Sequence, residues 1–316
     1  MPNAEGLHLA CASELVHLLV LAPKGQVTEN VRNILVEQIL TPVADAVDTK
    51  LPLLIIPKKP VGDFYHHSGD SFREMAVMWA EKGYVRIIED SHAHHVWLHG
   101  IGNTLLYDRP TYKWLENAPP EERRFVKALF GNPAPVNGGK AWSFWPRRPA
   151  LVEELAPKAT ATWSERLQRL VFYGRTENDT QRKHRPLEWA AVCSEFSMPD
   201  GLAKYPYTQR EYLEKLGQAK FGLCLPGFGL KCHREVECMA MGCVPIVSPG
   251  VDIGGYANPP VEGVHYFKAE TPEDAQRLSE ETDEATWIKM SEACKAWWLA
   301  NSSCDGMWAL TQSLLK

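Results

Sequence analysis

What most limits the folds open to this chain is a repeated alternation of short apolar runs with longer amphipathic ones. In the first half, "HLLVLAP" (17–23), "LPLLIIP" (51–57) and "YVRIIED" (84–90) have the length and composition of buried strands. Residues 28–47 and 71–83 lie between them and carry apolar side chains at helical spacing. The second half starts the pattern again. Strands are predicted at "RLVFYG" (169–174), "FGLCLP" (221–226) and "VPIVSP" (244–249), and helices at 186–193, 210–220 and 232–241. Strands separated by helices are joined by crossovers, so the pattern implies βαβ units and parallel, doubly wound sheets. The expected fold class is α/β, with two Rossmann-like domains facing across a cleft and a helical C-terminal tail.

The periodicity breaks at 132–149, "NPAPVNGGKAWSFWPRRP", where prolines and glycines mark the expected crossing between domains. That places an N-terminal domain at 1–150 and a second domain at 151–290. The tryptophan-rich tail is helical from 272, and helices at 291–316 are expected to pack back toward the N-terminal domain. At 316 residues the chain is long enough for two cores. Its apolar content of 45% and charged content of 23% are those of an ordinary globular protein. A net charge of −5 argues against nucleic acid as a partner. The eight cysteines include no CxxC pair, which argues against a zinc knuckle or a redox motif and for reduced thiols. "LVHLLVLAP" falls short of the ~20 residues of a membrane span and lacks the features of a targeting signal. The expected location is therefore cytoplasmic, and the sequons at Asn178 and Asn301 read as chance matches. After the first strand, "LAPKGQVTEN" holds one glycine, so the dinucleotide fingerprint is missing.

The stretch richest in chemistry is "FGLCLPGFGLKCHREVECMAMGCVPIV" (221–247), a strand, a glycine turn and a helix opening with His233, Arg234, Glu235 and Glu237. A helix start presents unpaired N–H groups and partial positive charge, a setting for phosphate. In the turn Pro226, Gly227, Phe228 and Gly229, the glycines let backbone approach a ligand closely. Arg234 adds a planar donor fork suited to a diphosphate. Glu237, three residues on, shares its face and can accept from a ribose diol. Glu235 points about 100° away from Arg234, toward solvent or a donor sugar. Upstream, Gly174, Arg175, Arg182, Lys183 and Arg185 follow a predicted strand at the sheet edge where open α/β folds bind ligands. The expected ligand is a nucleoside diphosphate-sugar. Plainer readings also fit: an Arg234–Glu237 salt bridge within the helix, solvated Arg182, Lys183 and Arg185, and a Gly242 that only ends the helix.

This stretch resembles the signature of exostosin-like glycosyltransferases. The matching residues are Tyr212, Leu213, Lys220, Phe221, Cys224, Pro226, Gly227, Arg234, Glu237, Gly242, Cys243, Pro245 and Val247. "VFYGRTENDTQRKHRPL" resembles the family's upstream loop, and Cys232 stands where the family tends to carry serine. The resemblance covers roughly residues 170–250. It implies a GT-B fold and transfer of a sugar from a nucleotide-sugar, a UDP-sugar, to a hydroxyl of a glycan acceptor. It also favours inversion. Arg234, Arg175 and helix N–H groups, rather than a divalent metal, would assist the leaving group.

An inverting transfer needs a base for the acceptor hydroxyl. "IIEDSHAHHVW" follows a predicted strand, so Asp90 and His92 are the candidates, with His94 and His95 behind them. The same four residues are metal-ligand types, and they also fit a polar turn. "FYHHSGDSF" (64–72) is a second candidate stretch, in which Asp70 or Ser71 also fits a plainer part as the cap of the next helix; Asp70 and Asp108 stand next in line for the base. A sugar-nucleotide epimerase and a non-catalytic nucleotide- or glycan-binding module share the same phosphate site and remain as alternatives.

Overall fold

The structure, a computed structural model, describes residues 53–57, 68–90, 96–100, 103–107, 126–130, 141–174, 187–197, 206–226 and 232–315. The chain divides into two compact units, Met1–Trp142 with Thr311–Lys316, and Ser143–Leu310. Each is built around a sheet, and the fold is α/β.

In the first unit, β1 (Leu53–Pro57) and β2 (Arg86–Asp90) run parallel, with α1 (Ser68–Glu81) as their crossover. This is the βαβ unit expected from the apolar runs. Asp70 and Ser71 lie inside the first turns of α1, because the helix starts at Ser68; the expectation that one of them caps it is corrected. The sheet goes on with β3 (Val96–Gly100), β4 (Asn103–Tyr107) and β5 (Val126–Phe130), in the order β2-β1-β3-β4-β5. β3 is antiparallel to both β1 and β4, so the sheet is mixed. The buried face of α1 carries Phe72, Met75, Ala76 and Trp79 at helical spacing. Phe72 meets Trp79 and Trp142 edge-on at 5.8 and 5.7 Å, and the Trp142 indole donates to Thr311 Oγ1 at 2.8 Å.

The second unit opens with α2 (Pro149–Leu155) and a 3₁₀ turn at Ala156–Lys158. Then follow β6 (Gln168–Tyr173), α3 (Leu187–Ala191), β7 (Glu195–Ser197), α4 (Gln209–Gly217) and β8 (Ala219–Cys224). After these come α5 (His233–Ala240), β9 (Val244–Val247) and β10 (Phe267–Lys268). The helices α6 (Pro272–Glu281), α7 (Glu284–Asn301) and α8 (Cys304–Leu315) complete the described chain. All pairings in this sheet are parallel and the strand order is β10-β9-β8-β6-β7. Numbered within the unit, that is 2-1-3-4-5, a doubly wound order. Such a sheet is buried on both faces, and β8 and β9 are accordingly apolar throughout apart from Lys220. α4 and α7 both pack against α5, while α3 and α6 pair with each other.

Local chemistry sets the helix ends. Thr208 caps α4: its hydroxyl accepts from the Glu211 N–H at 3.2 Å, and Glu211 accepts from the Thr208 N–H at 2.7 Å. Thr271 and Asp283 cap α6 and α7 by accepting from the N–H groups of Asp274 and Thr286, with Pro272 at the first helical position of α6. Gly242 follows the end of α5 with φ of +65°, the left-handed conformation that stops a helix, so its expected structural part is seen directly. α5 lies close on β8 because Gly222 has no side chain: a Cβ there would stand 2.5 Å from Cys238 Sγ and 3.2 Å from Cys243 Sγ. Cys224, Cys238, Cys243 and Cys294 are unbridged, buried thiols acting as small apolar groups.

At the amino edge of this sheet, Arg166 is buried with 1% of its surface exposed. Its Nε donates to the Ala161 carbonyl (3.1 Å), Nη1 to those of Ala219 (2.6 Å) and Leu216 (3.4 Å), and Nη2 to that of Met241 (2.9 Å). The guanidinium also stacks 5.0 Å from the Trp287 ring. One side chain thus ties together the entry to β6, the end of α4, the start of β8 and the end of α5.

Candidate functional site

In a doubly wound sheet the crevice for a ligand lies at the carboxyl ends of the strands, where the strand order reverses. In the second unit that point falls between β6 and β8, whose last residues are Tyr173 and Cys224. Gly174 follows β6, and Leu225 and Pro226, both buried, follow β8. α5 begins at the same edge.

Arg234 is the residue that crosses the reversal. It stands on α5, which follows β8, yet its Nη2 donates to the Tyr173 carbonyl at the end of β6 (3.2 Å). Its guanidinium also lies 4.6 Å from the centre of the buried Phe172 ring. Gly174 makes this position possible. A Cβ at Gly174 would collide with Arg234 Nη2 and stand 2.8 Å from Phe172 Cζ. The structure therefore brings together Gly174 and Arg234, which belong to separate elements of the sequence.

The two glutamates turn inward. Glu235 is fully buried, and it accepts a hydrogen bond from the Cys232 N–H at 2.8 Å, closing the first turn of α5. The expectation that Glu235 faces solvent is corrected: an acidic residue three positions after the cap folds back onto the cap's own N–H. Tyr256, from the loop after β9, is buried beside it; burial raises its phenol pKa, and the charge of Glu235 adds to that.

Glu237 is 3% exposed and has protein donors on both carboxylate oxygens. Oε1 accepts from the Arg147 backbone N–H (2.9 Å) and from Gln209 Nε2 (3.1 Å), and Oε2 accepts from the Tyr212 hydroxyl (2.9 Å). Burial pushes its pKa above the ordinary 4.5, opposed by the hydrogen bonds from Arg147 and Tyr212 and by the charges of Arg147 and Arg234. His233, the first residue of α5, shares its Nδ1 hydrogen bond with the Trp145 carbonyl at 2.7 Å. A carbonyl can only accept, so Nδ1 carries the proton. The His233 ring also packs 4.7 Å from that of Phe144, which stacks on Trp145 at 5.1 Å.

These contacts reveal an element that the sequence alone does not predict, an irregular strap at 143–148 laid along the first turns of α5. Its far end is held by Ser302, whose hydroxyl donates to the Phe144 carbonyl at 2.7 Å. Arg147 and Arg148 on the strap are exposed. The signal available in sequence was "WPRRP", an apolar anchor and two cations beside a domain crossing.

Of the remaining expected site residues, Arg175, Arg182, Lys183, Arg185, Gly227, Phe228, Gly229 and His92 lie outside the described residues, as do His94, His95 and Asp108. Asp90 is the last residue of β2, paired with Pro57 at the carboxyl end of β1. Among the described residues no group of three His, Cys, Asp or Glu side chains is placed to hold a metal ion, and no helix is long and apolar enough to cross a membrane.

No family model matches the chain, and no curated protein does. Among solved structures, it is similar to Anabaena HepE in complex with UDP-glucose, at 11% identity and a TM-score of 0.38, over 66% of this chain and 71% of that one. It is similar also to an α1,3-fucosyltransferase, at 12% identity and a TM-score of 0.38, over 85% and 91%. At that level of superposition neither likeness bears on what this chain does.

Proposed function

We propose that the second unit binds a nucleoside diphosphate-sugar at the β6–β8 reversal and that the chain is a glycosyltransferase. The observation that carries this reading is the position of Arg234. A guanidinium rooted on α5 reaches the end of β6, so a cation stands at the crevice beside the start of a helix. A diphosphate is the ligand whose charge and spread of oxygens suit that combination. The likeness of residues 170–250 to the exostosin-like signature adds the sugar and the transfer. In this reading UDP is the leaving group, Arg234 and the α5 N–H groups carry its charge without a divalent metal, and Arg175 joins them. The acceptor is a glycan hydroxyl, Asp90 or His92 removes its proton, and the anomeric centre inverts.

Calorimetry with UDP and UDP-sugars, with and without chelator, tests the reading. Chelator-resistant binding is expected, and Arg234→Ala should weaken it by about 1.5–3 kcal/mol, the range for a hydrogen bond from a charged group. Unaltered affinity in a folded Arg234→Ala variant would return Arg234 to a packing role. Binding that disappears with chelator would overturn the metal-free part. For the base, Asp90→Asn should slow transfer by about 10²–10⁴-fold while donor affinity holds; equal loss of both would refute that assignment.

A further inference from the structure

We propose that Glu237 is a positioning residue: it fastens the 143–148 strap across the start of α5 and so sets the ring of His233, instead of holding a ligand itself. The inference rests on the reading of α5 as the edge of a nucleotide site. Glu237 and His233 are four residues apart, hence on one face of the helix. Both are tied to the same strap, Glu237 through the Arg147 N–H and His233 through the Trp145 carbonyl. Two further donors from α4, Gln209 Nε2 and the Tyr212 hydroxyl, hold the carboxylate from the other side.

The arrangement has a direction. A carboxylate oxygen accepts two or so hydrogen bonds readily, and Oε1 already receives two. Oε2 takes a third donor, the Tyr212 hydroxyl, so three of the carboxylate's roughly four acceptor sites are filled inside the protein, and a ribose diol bound through both hydroxyls would have to displace one of them. The strap, by contrast, has its backbone conformation set by Glu237 at Arg147 and by Ser302 at Phe144. Between those two points lies Trp145, whose carbonyl selects the Nδ1–H tautomer of His233. Loosening Glu237 should free the strap at one end and release the imidazole from that tautomer.

The test uses the full chain with Glu237→Gln and Tyr212→Phe. The second variant keeps the ring and removes one donor, so it serves if the first does not fold. ¹⁵N-resolved spectra of the His233 ring report its tautomer, and calorimetry measures UDP and inorganic pyrophosphate in parallel. We expect the His233 ring signals to move in both variants, and the affinities for UDP and pyrophosphate to fall together by roughly threefold to tenfold. His233 signals unchanged from wild type would overturn the proposal. So would a loss for UDP with pyrophosphate unaffected, the mark of a lost ribose contact. If wild-type protein bound neither ligand, the nucleotide reading would fail on its own, and the His233 spectra would still judge the strap.

Discussion

Replacing Arg166 with alanine should cost the second unit much of its stability without touching the proposed site. The side chain is 1% exposed, and its hydrogen-bond partners are four backbone carbonyls. Two of these bonds, at 2.6 and 2.9 Å, are short enough to count in full. At ~1.5–3 kcal/mol each for a charged donor, a range already net of desolvation, they set the loss at about 3–6 kcal/mol. Domains of this kind hold only ~5–15 kcal/mol in total, so the change is large. Urea unfolding followed by tryptophan fluorescence suits the question, because Trp287 lies directly on the guanidinium. With a slope of ~2–3 kcal/mol per molar, the midpoint should drop by about 1–3 M. Arg166→Lys keeps the charge but not the fork, and its midpoint should fall between the two. An alanine midpoint within ~0.3 M of wild type would refute the idea that this side chain binds four segments into one unit.

Two further outcomes are expected. Gly174→Ala should leave the far-UV spectrum intact and weaken UDP binding about tenfold or more, because the new Cβ occupies the place of Arg234 Nη2; normal affinity would mean that the guanidinium does not need that position. Glu154, gripped by both terminal nitrogens of Arg210 at 3.1 and 2.6 Å and by Lys158 at 3.0 Å, has its pKa lowered to about 2. A lowered carboxylate pKa contributes stability that is complete above the ordinary 4.5 and is lost as pH falls toward about 2. Carboxyl-detected NMR should show that low midpoint and its rise in Arg210→Ala; an ordinary midpoint in the wild type would contradict the pairing.

Where an element is long and apolar, its place in the chain is enough to find it. β6, β8 and β9 lie within a few residues of their expected bounds because both faces of a parallel strand are apolar, and α5 does so because Gly242 ends it. β7 and β10, at three and two residues, carry too short a pattern to stand out. β3 and β4 are hidden for a different reason: they follow a run of histidines that reads as chemistry, and antiparallel pairing has no signature in the alternation of strands and helices. At the site, Arg234 and Gly174 were visible one by one, through residue type and position. The inward turn of Glu235 and Glu237 was not, because each is decided by a partner that periodicity cannot supply. For Glu235 the partner is a backbone N–H three residues back. For Glu237 it is a strap ninety residues upstream, whose N–H comes from Arg147.

Arg166 and Arg234 stand at opposite ends of the second unit's sheet. Arg166 holds the loops at the amino end, and Arg234 marks the carboxyl end. A lineage could therefore alter what it recognises by drift in the segments after β6, β8 and β9 while leaving untouched the contacts that keep the sheet assembled. A library meant to change specificity should follow the same partition. Positions flanking Gly174, Pro226 and Gly250 are the ones to randomise, with the two glycines kept because a Cβ on either would collide with its neighbours, and Ala161, Arg166, Leu216, Ala219 and Met241 are the ones to leave alone.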